Sequence, residues 1–240
     1  MSAFSTFTFS STKGNKADKE EKGFALVELY TSEGCSSCPP AEEVIASLAS
    51  QDTKGVYILA FHVDYWDQLG WKDPFSKHIY SERQENYALN FHLQSVYTPQ
   101  VIVNGRSEFV GSNKRLLRST IEKELKNTNH SSMEASAFSK DNKIVTINYD
   151  IRQAENETLY FALIQLKAQT EVKKGENEGK KLQHINVVRE LEPVANNKTK
   201  IGSIQLSVPP GLNKEGCKII LFLQQNTNGQ INDVKELNIQ

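Results

Sequence analysis

The chain is poor in sulfur, with three cysteines and two methionines among 240 residues. Three cysteines are too few for a disulfide-built scaffold and too few for two complete zinc knuckles, because a structural zinc normally takes four Cys or His ligands. Charge of one sign is also lacking: 28 Lys and Arg stand against 29 Asp and Glu, a formal charge of -1. No positive field is therefore available to hold a polyphosphate, and nucleic acid is not an expected partner. No run approaches the roughly 18 apolar residues that a membrane helix needs, so no transmembrane segment is expected. Internal repeats and long low-complexity tracts are missing too. The length of 240 residues allows one or two domains with proper cores.

The composition changes along the chain. Residues 1–22 combine a small, apolar start without a basic n-region and a polar, charged stretch from Lys13 to Lys22. Two readings stay open here, a disordered N-terminus and the remnant of a signal peptide. Residues 23–127 alternate strand candidates (Phe24 to Tyr30, Val56 to Val63, Gln100 to Val103) with helical stretches (Ala41 to Ser50, Lys114 to Lys126), an α/β rhythm interrupted by a helical insertion at about 64–95. A junction is expected between Asn127 and Ser132. Over 132–240 helical periodicity gives way to short β-rich runs, among them Lys143 to Ile151, Thr158 to Ala168, His184 to Leu191, Ile201 to Val208 and Lys218 to Gln224, which predicts a sandwich-like β domain.

What sulfur there is sits in one informative place. Cys35-Ser36-Ser37-Cys38 follows the apolar run Phe24 to Tyr30, and a disulfide closed over two intervening residues opens and closes without unfolding anything. The order strand, CxxC, helix, strand, insertion, Thr98-Pro99, strand, Asn104-Gly105 turn, strand and helix resembles the thioredoxin fold. A narrower resemblance rests on Val27-Glu-Leu-Tyr-Thr-Ser-Glu-Gly-Cys-Ser-Ser-Cys-Pro-Pro-Ala41, Phe61-His-Val-Asp-Tyr-Trp-Asp67, Gly70-Trp-Lys-Asp-Pro-Phe75, Tyr97-Thr-Pro-Gln100 and Val103-Asn-Gly105. In the second half it rests on Lys174-Gly-Glu-Asn-Glu-Gly179, Leu182, His184 and Asn186-Val-Val-Arg189. These motifs are similar to those of the bacterial thioredoxin-like family catalogued as domain of unknown function 1223.

The resemblance implies an α/β thioredoxin-like fold, a central mixed sheet flanked by helices, followed by a mostly β, sandwich-like C-terminal domain. It implies a thiol-disulfide oxidoreductase acting on protein or small-molecule disulfides, without a cofactor and with an unidentified electron donor. Because many members are exported, a periplasmic or secreted location is expected, with a cytoplasmic one as the alternative. Cys35, nearer solvent, is the expected nucleophile and Cys38 the resolving thiol. Glu28, offset by one residue from the buried acid of thioredoxins, is the candidate proton acceptor; otherwise it faces solvent at the sheet's margin. Thr98 and Pro99, joined by a cis bond, are expected to hold an extended substrate strand.

Several residues read in two ways. Asp64, Tyr65 and Trp66 are candidate groove residues, whereas Trp71 is expected to cover an insertion helix from Pro74 to Asn90 against the sheet. Cys35, Cys38 and His62 form the alternative, a copper- or zinc-binding set in a metal carrier. A redox-inactive binding module is the other alternative. By composition Gly175 to Lys180 reads as a mobile polar loop, and the family resemblance implies that it either folds over the dithiol or binds a partner, with His184 and Arg189 on the same surface. Cys217 reads as a buried small hydrophobe. Two flanking features argue against a strongly activated Cys35: Pro39 and Pro40 delay the helix start, and Glu33 places a carboxylate two residues away.

Overall fold

The computed structural model describes residues 23–127, 133–141, 143–151, 156–195 and 201–240. The N-terminal segment 1–22 and residues 128–132 of the expected junction lie outside them. The first half contains β1 (Ala25–Thr31), α1 (Pro39–Ala49), β2 (Val56–His62), a 3-10 turn at Asp67–Leu69, α2 (His78–Asn90), β3 (Gln100–Val103), β4 (Ser107–Val110) and α3 (Lys114–Glu124). The second contains β5 (Met133–Phe138), β6 (Ile144–Ile151), β7 (Glu157–Glu171), β8 (Lys181–Ala195), β9 (Ile201–Ser207), β10 (Cys217–Gln225) and β11 (Ile231–Asn238).

Local chemistry explains the first elements. Every residue of β1 is buried, because its two faces serve two cores: Val27 and Leu29 pack with α1 and α3, and Leu26 and Tyr30 pack with α2. α1 begins at Pro39 with Cys38 as N-cap, since a proline in the first turn gives up an amide that has no intrahelical acceptor anyway. The Asn104-Gly105 turn between β3 and β4 has both residues at positive φ, 51° and 61°, as a tight hairpin requires. A side chain at Gly105 would strike the Gly229 carbonyl 2.1 Å away, so this turn seats directly on the β10–β11 hairpin.

The expected fold class is corrected by the sheet. Among the described residues the protein is mostly β, 44% strand and 20% helix, with three α-helices. It is not an α/β thioredoxin-like fold followed by a separate sandwich. One eight-stranded mixed sheet runs β11-β10-β7-β8-β2-β1-β3-β4, and a three-stranded antiparallel sheet runs β5-β6-β9. The cause is the edge of β2, which a self-contained domain would leave unpaired or cover. Here β8 pairs with it in parallel at Ala60 and Val187, and β7, β10 and β11 extend the sheet antiparallel.

A sequence signal for this exists in Cys217–Leu223, apolar at nearly every position. A strand in a sandwich with one solvated face alternates, whereas a strand covered on both faces does not. In β10, Ile219, Leu221 and Leu223 pack with the three-stranded sheet, and Ile220 and Phe222 pack with the α2 core.

β8 changes course on the way to the site. Ile185 packs with α1 and Val188 with the α2 core, and between them Asn186 takes a left-handed conformation at φ 49°, which Asn tolerates well. The first part of β8 and the β7–β8 connection thereby reach over the end of the sheet where β1 and β2 finish. β1 and β2 are parallel and β3 pairs antiparallel with β1, Tyr30 opposite Gln100. The segments after β1, after β2 and before β3 consequently share that edge.

Candidate functional site

Cys35 and Cys38 form a disulfide with their Cα atoms 5.4 Å apart. The expectation that Cys35 lies nearer solvent is corrected, because both cysteines are fully buried. The cover comes from the β7–β8 connection. Asn177, itself fully buried, donates from Nδ2 to the carbonyls of Glu33 (2.8 Å) and Cys35 (2.9 Å). Ser36 N donates to Glu176 Oε2 at 3.0 Å, and Lys180 Nζ donates to Asn177 Oδ1 at 2.9 Å. The Gly175 to Lys180 loop thus folds over the dithiol, one of the two roles the family resemblance implied for it. Gly175 (φ 81°) sits beside Trp71, where an added Cβ would lie 3.5 Å from that side chain.

This cover makes a prediction. Asn177→Ala removes both donors from two carbonyls, and losing such buried partners costs about 1–3 kcal/mol. Reduction of the disulfide by dithiothreitol is expected to accelerate several-fold, read by thiol trapping over time. An unchanged rate means that the loop does not shield the sulfurs.

The helix start matches the proline argument. Pro39 and Pro40 have no amide hydrogen, and the amides of Ala41 and Glu42 both bond the Cys38 carbonyl, at 2.9 and 3.1 Å. The first turn of α1 therefore has these four amides absent or engaged, rather than aimed at the Cys35 sulfur. Cys35 Sγ lies 3.3 Å from Ser37 Oγ.

Behind the dithiol is a buried polar network that residue spacing does not foreshadow. Glu33 Oε2 accepts from Trp71 Nε1 at 2.7 Å, so Trp71 serves this network in addition to any cover of α2. Glu33 Oε1 lies 3.0 Å from His184 Nε2, and His184 Nδ1 lies 2.5 Å from Glu42 Oε2. Thr31 Oγ1 donates to Glu42 Oε1 at 2.7 Å. Burial by itself would lower the pKa of His184, but the hydrogen bonds to Glu33 and Glu42 outweigh it and lift it to about 10. Next to it, Asp73 Oδ2 accepts from Glu33 N (2.8 Å) and from His62 Nδ1 (2.7 Å). His62 is consequently brought together with Asp73, Glu42 and His184, rather than set with the cysteines as the metal-carrier alternative has it.

The other expected residues fall on both sides of the site. Thr98-Pro99 is cis. Thr98 Oγ1 accepts from Trp66 Nε1 at 2.8 Å, and an added Cβ on Gly34, the residue before Cys35, would lie 3.1 Å from Trp66 Cβ. Trp66 thus links the cis peptide to the dithiol loop. Tyr65 donates to Gln84 Oε1 at 3.2 Å. Asp64 is engaged by α2, accepting from Ser81 and lying 3.0 Å from His78 Nδ1. Arg189 stacks over Phe75, and Cys217 is buried.

Glu28 is fully buried, which removes the solvent-facing alternative, and its carboxylate is paired elsewhere. Arg83 donates to both oxygens, Nε at 2.7 Å and Nη2 at 3.0 Å, and the hydroxyls of Tyr87 (2.7 Å) and Tyr30 (3.0 Å) complete its shell.

A family profile described as protein of unknown function (DUF1223) matches residues 26–224, a span that takes in the dithiol and the loop that covers it. The chain is also similar to the crystal structure of an Agrobacterium tumefaciens protein, a structural genomics target. The TM-score is 0.68 at 26% identity, over 89% of this chain and 93% of that one. No curated protein matches the chain.

Proposed function

The chain belongs to the DUF1223 family, and we propose that it carries out thiol-disulfide exchange at Cys35 and Cys38. The observation that carries this reading is a disulfide closed over two residues where β1 hands over to α1, at the sheet edge that also holds the cis Thr98-Pro99 peptide. Kinship with the thioredoxin superfamily is part of the proposal. It concerns this strand, dithiol, helix and proline unit and not the sheet as a whole.

In the reduced protein the Cys35 thiolate attacks one sulfur of a substrate disulfide and expels the other as a thiolate. Cys38 then attacks the Cys35 sulfur of the mixed disulfide, the substrate leaves as a dithiol, and the protein keeps the disulfide. Two electrons pass to the substrate, and a donor dithiol returns them. Trp66 and Thr98 border the approach beside Pro99, with Tyr65 close by. Glu28 is assigned to structure through its pairing with Arg83. The loop at 175–180 has to move aside for a protein substrate, so its position gates access. Export to an envelope or extracellular compartment completes the proposal, since disulfides form and persist in such oxidising surroundings.

The weak helix contribution at Cys35 sets the expected potential. A thiolate without those first-turn amides gains little, and a poorly stabilised reduced form makes a weak oxidant. The pair is expected near the reducing end of the known range, on the order of -270 mV rather than -120 mV.

Redox titration with mass-spectrometric thiol counting tests both statements. Reversible loss and gain of two thiols is expected, and Cys38→Ser should accumulate a mixed disulfide with an added disulfide probe while Cys35→Ser does not. A bond that resists reduction under native conditions sinks the reading and leaves a redox-inactive binding module.

A further inference from the structure

We propose that Glu42, His62 and His184 form a binding site for one divalent transition-metal cation of the zinc class, separate from the two sulfurs. Their ligand atoms lie within 4.8 Å of one another. They border a cavity of about 10 Å³ whose other walls include Leu29, Ile45 and Ala60, a volume close to that of one water or one ion.

The orientation of each donor carries the inference. His62 is fully buried, its Nδ1 is held by Asp73 Oδ2 at 2.7 Å, and its Nε2 has no hydrogen-bond partner among the described residues. A neutral imidazole that donates Nδ1–H to a carboxylate carries its lone pair on Nε2. His62 is one of the residues that line the cavity. Buried polar atoms without a partner are rare, and each one calls for an explanation. His184 has both nitrogens engaged, Nε2 by Glu33 and Nδ1 by Glu42, so a metal ion takes the Nδ1 position only by releasing that nitrogen's proton to solvent. Glu42 in turn has its second oxygen held by Thr31 Oγ1. Imidazole ligands oriented by carboxylates, and a ligand carboxylate that is itself hydrogen-bonded, are the outer shell that metal sites use to fix tautomer and direction.

The donor set selects the class of ion. Two imidazoles and one carboxylate suit zinc and its neighbours, whereas calcium and magnesium take oxygen shells and monovalent copper prefers sulfur. The three carboxylates of Glu33, Glu42 and Asp73 converge on two imidazoles in a buried place, where uncompensated negative charge is costly. Metal bonds of roughly 2.0–2.2 Å require the three atoms to draw together and Glu42 to turn from His184 Nδ1 toward the cavity. With three protein ligands, a fourth position remains for water.

The test uses the full chain with its disulfide intact and no reductant, titrated with zinc against a chromophoric chelator and with cobalt as a spectroscopic probe. The expected result is one ion per chain and a cobalt spectrum without a sulfur charge-transfer band. Cys35→Ser/Cys38→Ser should still bind. His62→Gln should lose at least about 100-fold in affinity, beyond the 10–100-fold typical of outer-shell changes, with its metal-free melting temperature compared to the parent. Should that variant fail to fold, Glu42→Gln at the cavity rim is the second reading, with the same loss expected. Three results overturn the site: no ion bound by the disulfide form, undiminished binding in the folded variants, or binding confined to the reduced chain and abolished by the double serine variant. The last would place the metal on the sulfurs. None of these outcomes depends on whether the disulfide turns over.

Discussion

Arg83→Met is expected to destabilise the protein by about 3–5 kcal/mol, the usual cost of removing one partner from a buried ion pair. Glu28 and Arg83 are almost completely inaccessible, and the guanidinium binds both carboxylate oxygens. Without it the Glu28 carboxylate stays in the interior with Tyr30 and Tyr87 as its remaining side-chain donors among the described residues. Arg83 does more than neutralise. Its Nη1 donates to Gln224 Oε1 of β10 at 2.8 Å, and its guanidinium carbon lies 4.8 Å from the ring centre of Tyr160 and 4.9 Å from that of Phe222. α2 is thereby tied to β1 on one side and to β7 and β10 on the other, so the loss falls on the joint between the two halves of the sheet. Glu28→Leu/Arg83→Met removes both charges and should recover most of the stability, because an apolar pair of similar volume leaves no orphaned ion. Urea unfolding measures both variants. A cost below about 1 kcal/mol for the single variant contradicts the argument from burial.

The second large effect is on pH dependence. His184 has a folded-state pKa of about 10 against an ordinary value of 6.5, so its protonated form is favoured in the folded chain. The groups around it are Glu33 after β1, Glu42 of α1, and the rings of His62 and Phe75 at 4.9 and 5.5 Å. A raised pKa stabilises the fold fully below the unfolded value and loses that contribution as pH rises through the folded one. For metal-free protein held in chelator, stability should therefore decline between about pH 6.5 and 10. The total is on the order of 5 kcal/mol, at about 1.4 kcal/mol per unit over the interval from 6.5 to about 10. Denaturant unfolding across this range measures it. His184→Gln should flatten the profile; an equally steep decline in that variant assigns the effect to other groups.

Both effects arise from residues far apart in the chain, and this decides what was legible in advance. Glu28 stood out as an acid in an apolar strand, but its partner Arg83 is 55 positions away. His184 and Glu33 are separated by 151 positions, and Asn177 and Cys35 by 142. No local period records such pairs. The resemblance to the family drew attention to residues 175–180 and to His184, while their contacts with the dithiol loop come from the bend of β8 at Asn186. Glu42 carried no signal beyond a place in the first turn of a helix. The burial of Cys35 also depends on a loop that is remote in sequence.

By itself the sequence determined the local steps: the two-residue spacing of the dithiol, the delayed start of α1 at Pro39, the Asn104-Gly105 turn and the strand before Cys35. These depend on φ restrictions, missing amides and side-chain periodicity, all acting within a few residues. Only the tertiary structure decided that β8 would close the edge of β2, join both halves in one sheet and set the Glu33, His184, Glu42 and His62 cluster behind the disulfide. Unpaired strand edges and buried charges have to find partners, and which partner is within reach is a property of the whole chain.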